Sequence, residues 1–249
     1  MNARQLSTGL GLATVLVIAA LLTGCAPAAT PASPAPQHPQ SHTPSATPTP
    51  TTLPSAGTSA TATTAKLAVY TAPNGAVAET LSNPQPSGAP LVLLVAATQG
   101  TWLKVDLAQR PNGSTGWIKA DAVTLHRLDY SLKASTENRT LALYKNDALV
   151  KTFTVATGTG GTPTPHGSFY VTELLAPTNA GYGPYAFGLS AFSEALTSFG
   201  GGPGQIGLHG TDDAASIGKA ASHGCIRLAN PDITELAHLL PLGTPITIS

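Results

Sequence analysis

Short apolar segments separated by turn residues fill the chain from Lys66 to its C-terminus. LVLLVAAT, TWLKVDL, GSFYVTELL and GTPITIS are apolar runs or alternate apolar with polar positions, and Pro, Gly and Asn are frequent between such segments. In TLALYKNDALVKTFTV the alternation continues on both sides of Lys145 to Asp147, as it does in a β-hairpin. This pattern predicts a mainly β protein.

One main helix is predicted near the C-terminus. Apolar residues recur there on one helical face, at Ile233, Leu236, Leu239 and Leu240. Asn230 is the expected N-cap, Pro231 the first helical residue and Asp232 an acid that favours the positive end of the helix dipole. The chain is therefore expected to pack one helix against a β-rich body.

The N-terminus carries the pattern of a secretion signal. Arg4 precedes the apolar run Leu10–Leu22, which is shorter than the roughly 17 to 25 residues that span a bilayer. LTGC, ending at Cys25, resembles the lipobox of bacterial lipoproteins, in which the cysteine is acylated and becomes the new N-terminus. The alternative is an ordinary signal peptide cleaved near the APA that follows. The resemblance implies that residues 1–25 direct an extracytoplasmic protein, lipid-anchored to the bacterial cell membrane.

Residues 26–65 have the composition of a spacer. Pro, Thr, Ala and Ser account for 34 of these 40 residues, and Asp, Glu, Lys and Arg are absent. Such a segment buries too little apolar surface to offset the entropy of folding, so we expect it to be disordered. Its proline content predicts a semi-rigid tether.

Residues 66–126 are predicted to form a small β-barrel. Asn112–Val123, NGSTGWIKADAV, resembles bacterial SH3-like domains, in which a Gly-Trp-hydrophobic strand precedes a short turn and a last strand. Such domains often bind cell-wall peptides, so Trp102 and Trp117 are either ligand-binding or core residues. Twelve basic and twelve acidic residues give the chain no net charge and no electrostatic signature of nucleic-acid binding.

Cys225 is the residue that points to chemistry. If Cys25 carries lipid, Cys225 has no disulfide partner in the mature chain, and a free thiol outside the cytoplasm is prone to oxidation. With His209 and His223 nearby in sequence, it is a zinc ligand, an inert thiol beside structural histidines, or a nucleophile activated by a histidine. Zinc is disfavoured because a second cysteine and the usual ligand spacings are missing. The nucleophile is the favoured interpretation.

The segment His209–Leu228, HGTDDAASIGKAASHGCIRL, resembles the signature of the L,D-transpeptidase catalytic domain first described from the YkuD and ErfK proteins. That motif combines an upstream His-Gly with a downstream Ser-His-Gly-Cys-hydrophobic-Arg or Asn. Gly158–Phe169, GTGGTPTPHGSF, is similar to the family's TP-x-G stretch. The resemblance covers residues 128–249 and implies a β-rich catalytic domain behind the SH3-like domain.

The resemblance also implies the roles of individual residues. Cys225 matches the nucleophile, His209 the general base and Gly210 the residue whose backbone carbonyl orients that base. Four further positions match supporting or substrate-binding residues: Ser222, His223, Gly224 and Arg227. Backbone N–H groups near Cys225 are expected to form an oxyanion hole, and the thiol is expected to have a lowered pKa.

Three points stay open at this stage. His223 is a second candidate base, because in an extended strand it would project to the same side as Cys225. Arg227 either binds a peptide carboxylate or forms a surface ion pair with one of three acids: Asp212, Asp213 or Asp232. The glycine-rich loop Ala176–Phe192 caps the substrate groove or packs without function, and its aromatic residues include Tyr182.

The expected function follows from the same family. Cys225 would attack the carbonyl of diaminopimelate in a peptidoglycan tetrapeptide stem, and the amine of a neighbouring diaminopimelate would resolve the thioester into a cross-link. No metal or organic cofactor is implied, and carbapenems are expected to inhibit. The alternatives are an L,D-carboxypeptidase or protein-anchoring transpeptidase of the same fold, or a non-catalytic peptidoglycan-binding lipoprotein.

Overall fold

Strands dominate the structure, a computed structural model that describes residues 51–52, 57–199 and 201–249. These residues belong to one compact unit with two eight-stranded sheets, a two-stranded sheet and a single α-helix. The predicted mainly β fold with one main helix is confirmed. Cys25, the predicted signal segment and most of the predicted spacer lie outside the described residues.

The first sheet uses the strands β1 (Thr51–Thr52), β2 (Thr58–Ala62), β3 (Lys66–Tyr70), β4 (Val77–Ser82), β5 (Val92–Gln99), β6 (Trp102–Asp106), β7 (Thr115–Lys119) and β8 (Val123–Arg127). Their order is β4-β3-β7-β6-β5-β2-β8, and β1 also pairs with β5. Alternate residues of these strands, such as Leu67, Val69, Leu103 and Val105, point into one buried apolar cluster. The period of two in the sequence thus places one face of each strand in the core.

Strand β2 corrects the predicted extent of the spacer. It lies within residues 26–65, yet it pairs with β5 on one side and with β8 on the other. Ser59 and Ala60 of this strand are buried, at 2% and 0% exposure. A central strand needs few large side chains of its own, because both neighbours satisfy its backbone and its core face is covered from the opposite side. The folded region therefore includes Gly57–Ala65, rather than starting at Lys66.

The second sheet contains the strands β9 (Tyr130–Ser135), β10 (Thr140–Lys145), β11 (Ala148–Thr154), β13 (Gly167–Leu175), β14 (Ala186–Phe192), β15 (Gln205–His209), β17 (Ile226–Arg227) and β18 (Pro245–Ile248), while β12 (Thr157–Gly158) and β16 (Ala220–Ser222) form a short parallel pair. The order is β11-β10-β9-β18-β13-β14-β15-β17. Asn146 and Asp147 join β10 to β11 with φ of 48° and 64°. Two adjacent positive φ values are those of a type I′ hairpin turn, which Asn and Asp tolerate.

Helix α1 (Asn230–Leu239) packs on this sheet through Ile233 and Leu236, which are fully buried. Its N-cap is Ala229, so the prediction that Asn230 caps the helix is wrong. The Asn230 side chain instead accepts a hydrogen bond from the Thr211 N–H at 2.9 Å. The Asn230 side-chain oxygen, which was expected to bind an N–H group of the helix, thus binds an N–H group of the loop after β15.

The two large sheets share an interface. Tyr170 of β13 belongs to the second sheet, but its side chain is fully buried in the apolar cluster of the first. Gln85 Nε2, in the loop after β4, donates to the Thr172 carbonyl at 3.0 Å. Residues of the first sheet therefore contribute directly to the environment of the second.

Candidate active site

Two adjacent parallel strands bring the predicted catalytic residues together. His209 ends β15, and Cys225 directly precedes β17, which pairs with β15 in the register Leu208 to Ile226. Because side chains alternate along strands, the register puts Gly207 and His209 on the same face as Cys225 and Arg227. Residues that lie 16 positions apart in sequence therefore share one surface.

A tight turn presents Cys225. Ser222 Oγ donates to the Cys225 carbonyl at 2.5 Å and accepts from the Gly224 N–H at 3.1 Å, closing the turn on itself. Gly224 has φ of +121°, a conformation that side chains rarely adopt, and a Cβ there would come within 3.0 Å of Ile206. Ser222 and Gly224 thus hold the turn, and the Cys225 thiol is half-buried at its end.

The TP-x-G stretch supports this turn from behind. The Ser222 carbonyl accepts from the Thr159 N–H at 3.0 Å and from Thr162 Oγ1 at 3.3 Å. Thr164 Oγ1 in turn accepts from the Gly158 N–H at 2.9 Å. A Cβ at Gly158 would lie 2.3 Å from the Thr162 carbonyl oxygen, so this position requires glycine. The two motifs noted in the sequence are parts of one structure.

His209 is buried and oriented by its own neighbour. The ring is 4% exposed, and its Nδ1 lies 2.5 Å from the Gly210 carbonyl oxygen. An Nδ1–H that donates to this carbonyl leaves Nε2 as the unprotonated nitrogen. The Tyr182 ring covers the imidazole at a centroid distance of 4.7 Å. The arrangement fixes both the tautomer and the plane of the base.

Burial sets the protonation of the pair. Desolvation raises the pKa of the Cys225 thiol, and hydrogen bonding from Gly207 and the charge of Arg227 offset this only in part. Desolvation lowers the pKa of His209 to about 4, with the Gly210 carbonyl acting against it and the charge of Arg227 adding to it. The expected thiolate of lowered pKa is therefore wrong: at neutral pH the resting pair is a neutral thiol and a neutral imidazole.

Two cavities meet at the pair. One of about 290 Å³ extends past His223 and Arg227, and the other of about 310 Å³ extends past Glu173 and Gly188. Seven residues line both cavities: Tyr182, Phe199, Gly204, Gln205, Ile206, His209 and Cys225. The thiol therefore borders both cavities.

His223 lies away from the position expected for a base. The positive φ of Gly224 breaks the extended strand that would have aligned His223 with Cys225. The His223 side chain is exposed, and its ring stacks on Phe199 at a centroid distance of 5.1 Å. His223 thus contributes to the cavity wall, whereas His209 is the histidine on the face of the thiol.

Arg227 faces the pair without an acidic partner. The predicted ion-pair partner Asp232 contacts Lys151 instead, at 3.3 Å, and within the described part of the chain neither Asp212 nor Asp213 pairs with Arg227. The Arg227 Nε atom is buried and has no hydrogen-bond partner among the described residues. The surface ion pair is therefore not formed, and the guanidinium remains available at the cavity.

Sequence reasoning missed two residues of the site. Gly207 donates its N–H to Cys225 Sγ at 3.3 Å, and a Cβ there would lie 3.6 Å from His209 and 3.8 Å from Cys225. The missed signal is its position two residues before His209, which places it on the same face wherever this segment is extended. Asn230 Oδ1 binds the Thr211 N–H of the peptide unit whose carbonyl orients His209, and no local pattern predicts this contact.

Neither a metal centre nor a membrane span is found in the described ranges. No three His, Cys, Asp or Glu side chains there are grouped to hold a metal ion. No helix in that part of the chain is long and apolar enough to cross a membrane.

Comparison with known proteins agrees with the motif. Residues 129–248 match the family model of the YkuD-type L,D-transpeptidase catalytic domain. YkuD of Bacillus licheniformis is 38% identical over 122 residues, which are 49% of this chain and 67% of that protein. YkuD of Bacillus subtilis is 36% identical over 124 residues, which are 50% of this chain and 68% of that protein. The chain belongs to the YkuD family of L,D-transpeptidase catalytic domains.

Solved structures of the same class are more distant. An L,D-transpeptidase from Mycobacterium smegmatis is 14% identical, with 64% of this chain and 90% of that chain covered and a TM-score of 0.41. L,D-transpeptidase 3 from Mycobacterium tuberculosis, solved with a faropenem-derived adduct, is 12% identical over 64% of this chain and 91% of that chain, with a TM-score of 0.45.

Proposed function

We propose that the protein is a cysteine L,D-transpeptidase that cross-links peptidoglycan stem peptides between diaminopimelate residues. The observation that carries the proposal is that the half-buried Cys225 thiol and an oriented, neutral His209 share one strand face and both line the two cavities. Family membership supports the class of reaction. The geometry supports the residues that perform it.

The proposed first half-reaction forms a thioester. Cys225 Sγ attacks the carbonyl carbon of diaminopimelate while its proton passes to His209 Nε2. The thiol and the imidazole are therefore neutral in the resting enzyme and become charged only during the reaction. The bond between that carbon and the D-alanine nitrogen then breaks, and His209 returns the proton to the leaving amine. The Gly210 carbonyl, 2.5 Å from Nδ1, stabilises the imidazolium while it exists.

The oxyanion of this step is assigned to the Cys225 backbone amide. Of the backbone N–H groups near Cys225, that of Gly224 already donates to Ser222 Oγ, at 3.1 Å. Within the described residues, the Cys225 N–H donates to no acceptor, so it is free to stabilise the developing negative charge. Arg227 adds a positive charge on the same face.

The second half-reaction consumes the thioester. The side-chain amine of a second diaminopimelate attacks the acyl carbon and loses a proton to His209. The bond between that carbon and Cys225 Sγ then breaks, and His209 passes the proton to the departing sulfur, which restores the thiol. The second cavity supports an acceptor of this size, since it reaches the thiol from another side. We assign Arg227 to a free substrate carboxylate, because Arg227 lines the first cavity and no acidic residue pairs with it within the described part of the chain.

The proposal includes a location. A lipid on Cys25 would anchor the protein to the outer face of a bacterial cell membrane, and the spacer would allow the folded region to reach the wall. The first sheet is proposed to be an SH3-like domain. Its Trp102 is 8% exposed and packs edge-on to Tyr70 at 4.9 Å, which favours a core role for this ring over ligand binding.

The test is mass spectrometry of defined tetrapeptide muropeptides incubated with the full-length protein. Transpeptidation gives a dimer with the loss of one D-alanine, whereas a carboxypeptidase gives the tripeptide alone. Cys225→Ala and His209→Ala should each abolish the acyl-enzyme mass, while His223→Ala should keep measurable activity. If His223→Ala were the more damaging change, the assignment of the base would be wrong. Binding without any product would support the non-catalytic lipoprotein.

A further inference from the structure

One loop of the second sheet forms a wall of the active site. We define the wall loop as residues 193–199 and 201–204, between β14 and β15. Ser193, Leu196, Phe199 and Gly204 line the first cavity, and Phe199 and Gly204 also line the second. Phe199 stacks on His223, two residues from the nucleophile. The position of this loop therefore affects the shape of both cavities.

The wall loop is held from within by contacts at its base and tip and by one side chain, Ser193 Oγ, which accepts from the Leu196 N–H at 3.0 Å. Its base is closed by the Ser193 N–H, which donates to the Gly204 carbonyl at 2.8 Å, and its tip by Phe199 and Gly202. Between these points the carbonyls of Ser193, Leu196 and Pro203 do not take part in a strand ladder. Carbonyl groups left in this state need another donor.

Arg110 of the first sheet supplies that donor. The Arg110 guanidinium donates to the Pro203 carbonyl at 2.7 Å, to the Ser193 carbonyl at 2.8 Å and to the Leu196 carbonyl at 3.0 Å. These three acceptors lie on both limbs of the wall loop. The planar guanidinium, with five N–H groups, suits such a multiple contact, whereas a lysine ammonium presents a single point of attachment.

Neighbouring contacts hold Arg110 in place. Its guanidinium carbon lies 5.0 Å from the centroid of the Phe192 ring, a cation–π distance. Asn112 exchanges two hydrogen bonds with the Phe192 backbone, accepting its N–H at 2.9 Å and donating to its carbonyl at 2.8 Å. The loop between β6 and β7 is thus joined to the second sheet at the point where the wall loop begins.

We propose that Arg110 is a positioning residue for substrate binding, through which the first sheet holds the wall of the active site. The expected effect of Arg110 on the apparent KM rests on the proposed function. Without the guanidinium, the carbonyls of Ser193, Leu196 and Pro203 lose their shared donor, and the loop between its closed base and its closed tip becomes more mobile, so that Phe199 loses its fixed position over the cavities. Cys225 and His209 stay in place, because their strands and turn do not contact Arg110.

The experiment compares the full-length protein with Arg110→Ala and Arg110→Lys, using Arg127→Ala as the matched control. Arg127 is an exposed arginine of the first sheet, 3.6 Å from Asp129, and it lines a cavity to which the wall loop contributes no residue. Hydrogen exchange should be faster in residues 193–204 of Arg110→Ala and unchanged in Arg127→Ala. The apparent KM for the tetrapeptide stem should rise about five- to tenfold, a loss of the size that follows from removing charged hydrogen bonds at a partly exposed site.

If Arg110 only stabilised the fold, Arg110→Ala would lower the thermal stability and the alkylation of Cys225 together. The proposal predicts a different result. The rate at which iodoacetamide alkylates Cys225 should not fall in any variant, and Arg110→Lys should restore part of the KM. Unchanged exchange in residues 193–204 would overturn the proposal, as would a parallel loss of alkylation and thermal stability. If the unmodified protein has no transpeptidase activity, the proposed function fails, but the exchange measurement still decides whether Arg110 holds the loop.

Discussion

Replacing His209 by Gln should reduce the amount by which the free energy of unfolding falls when the pH is lowered. Burial lowers the pKa of His209 to about 4 in the folded state, whereas an unfolded histidine titrates near 6.5. Between these two pH values the unfolded chain binds a proton that the folded chain does not. The free energy of unfolding therefore falls as the pH is lowered from about 6.5 towards about 4. Gln cannot titrate, and its amide can still donate to the Gly210 carbonyl.

The expected magnitude follows from the two pKa values. Each pH unit between them is worth about 1.4 kcal/mol of unfolding free energy. Between about pH 8 and about pH 4.5, His209 accounts for a loss of about 2.5 kcal/mol. Desolvation also raises the pKa values of Asp106, Tyr170 and Cys225, but these groups are the same in the protein and in the variant. Their contributions cancel when the two pH dependences are subtracted.

Urea unfolding at several pH values measures the difference. Intrinsic fluorescence of Trp102 and Trp117 can follow the transition in the full-length protein and in His209→Gln. Between about pH 8 and about pH 4.5, we expect the free energy of unfolding of the variant to fall by about 2.5 kcal/mol less than that of the unmodified protein. His223→Gln is the control, since this exposed histidine should leave the loss unchanged. Equal losses in the protein and in His209→Gln would refute the reasoning, because His209 would then not be buried and neutral in the folded state.

Three further predictions test the chemistry and the anchor. A carbapenem should acylate Cys225 through ring opening of the β-lactam, seen as a mass increase that maps to the Cys225 peptide and that prior alkylation blocks; unmodified protein with a reduced thiol would count against the enzyme. Gly207→Ala should keep thermal stability, since the shortest contact of its methyl would be 3.4 Å, to the Phe187 carbonyl oxygen, but it should lower kcat/KM more than about tenfold by filling the space beside Cys225 and His209; full activity would show that substrate does not use this space. Cys25→Ser should move the protein from the membrane to the soluble fraction without changing catalysis, and retention in the membrane would indicate an uncleaved signal segment.

The sequence alone determined the class of the fold and the main chemical residues. Alternation with a period of two predicted the strands, and the single stretch of helical spacing predicted α1, because both signals are local and depend only on which residues must be buried. The His-Gly and Ser-His-Gly-Cys motifs drew attention to His209 and Cys225 before any contact was known. Gly224 illustrates the same rule, since a turn with positive φ requires glycine whatever surrounds it.

Tertiary structure decided what depends on distant neighbours. β2 looked like spacer because its own side chains are small, and only pairing with β5 and β8 makes it part of the core. Asn is a residue type that commonly caps helices, yet the Asn230 side-chain oxygen accepts a hydrogen bond from the N–H of Thr211, 19 positions away. The protonation of Cys225 and His209 depends on burial, which no spacing along the chain encodes, and so the expected thiolate became a neutral pair. Arg110 reaches carbonyls more than 80 positions away, because folding, and not sequence order, brings donors to acceptors.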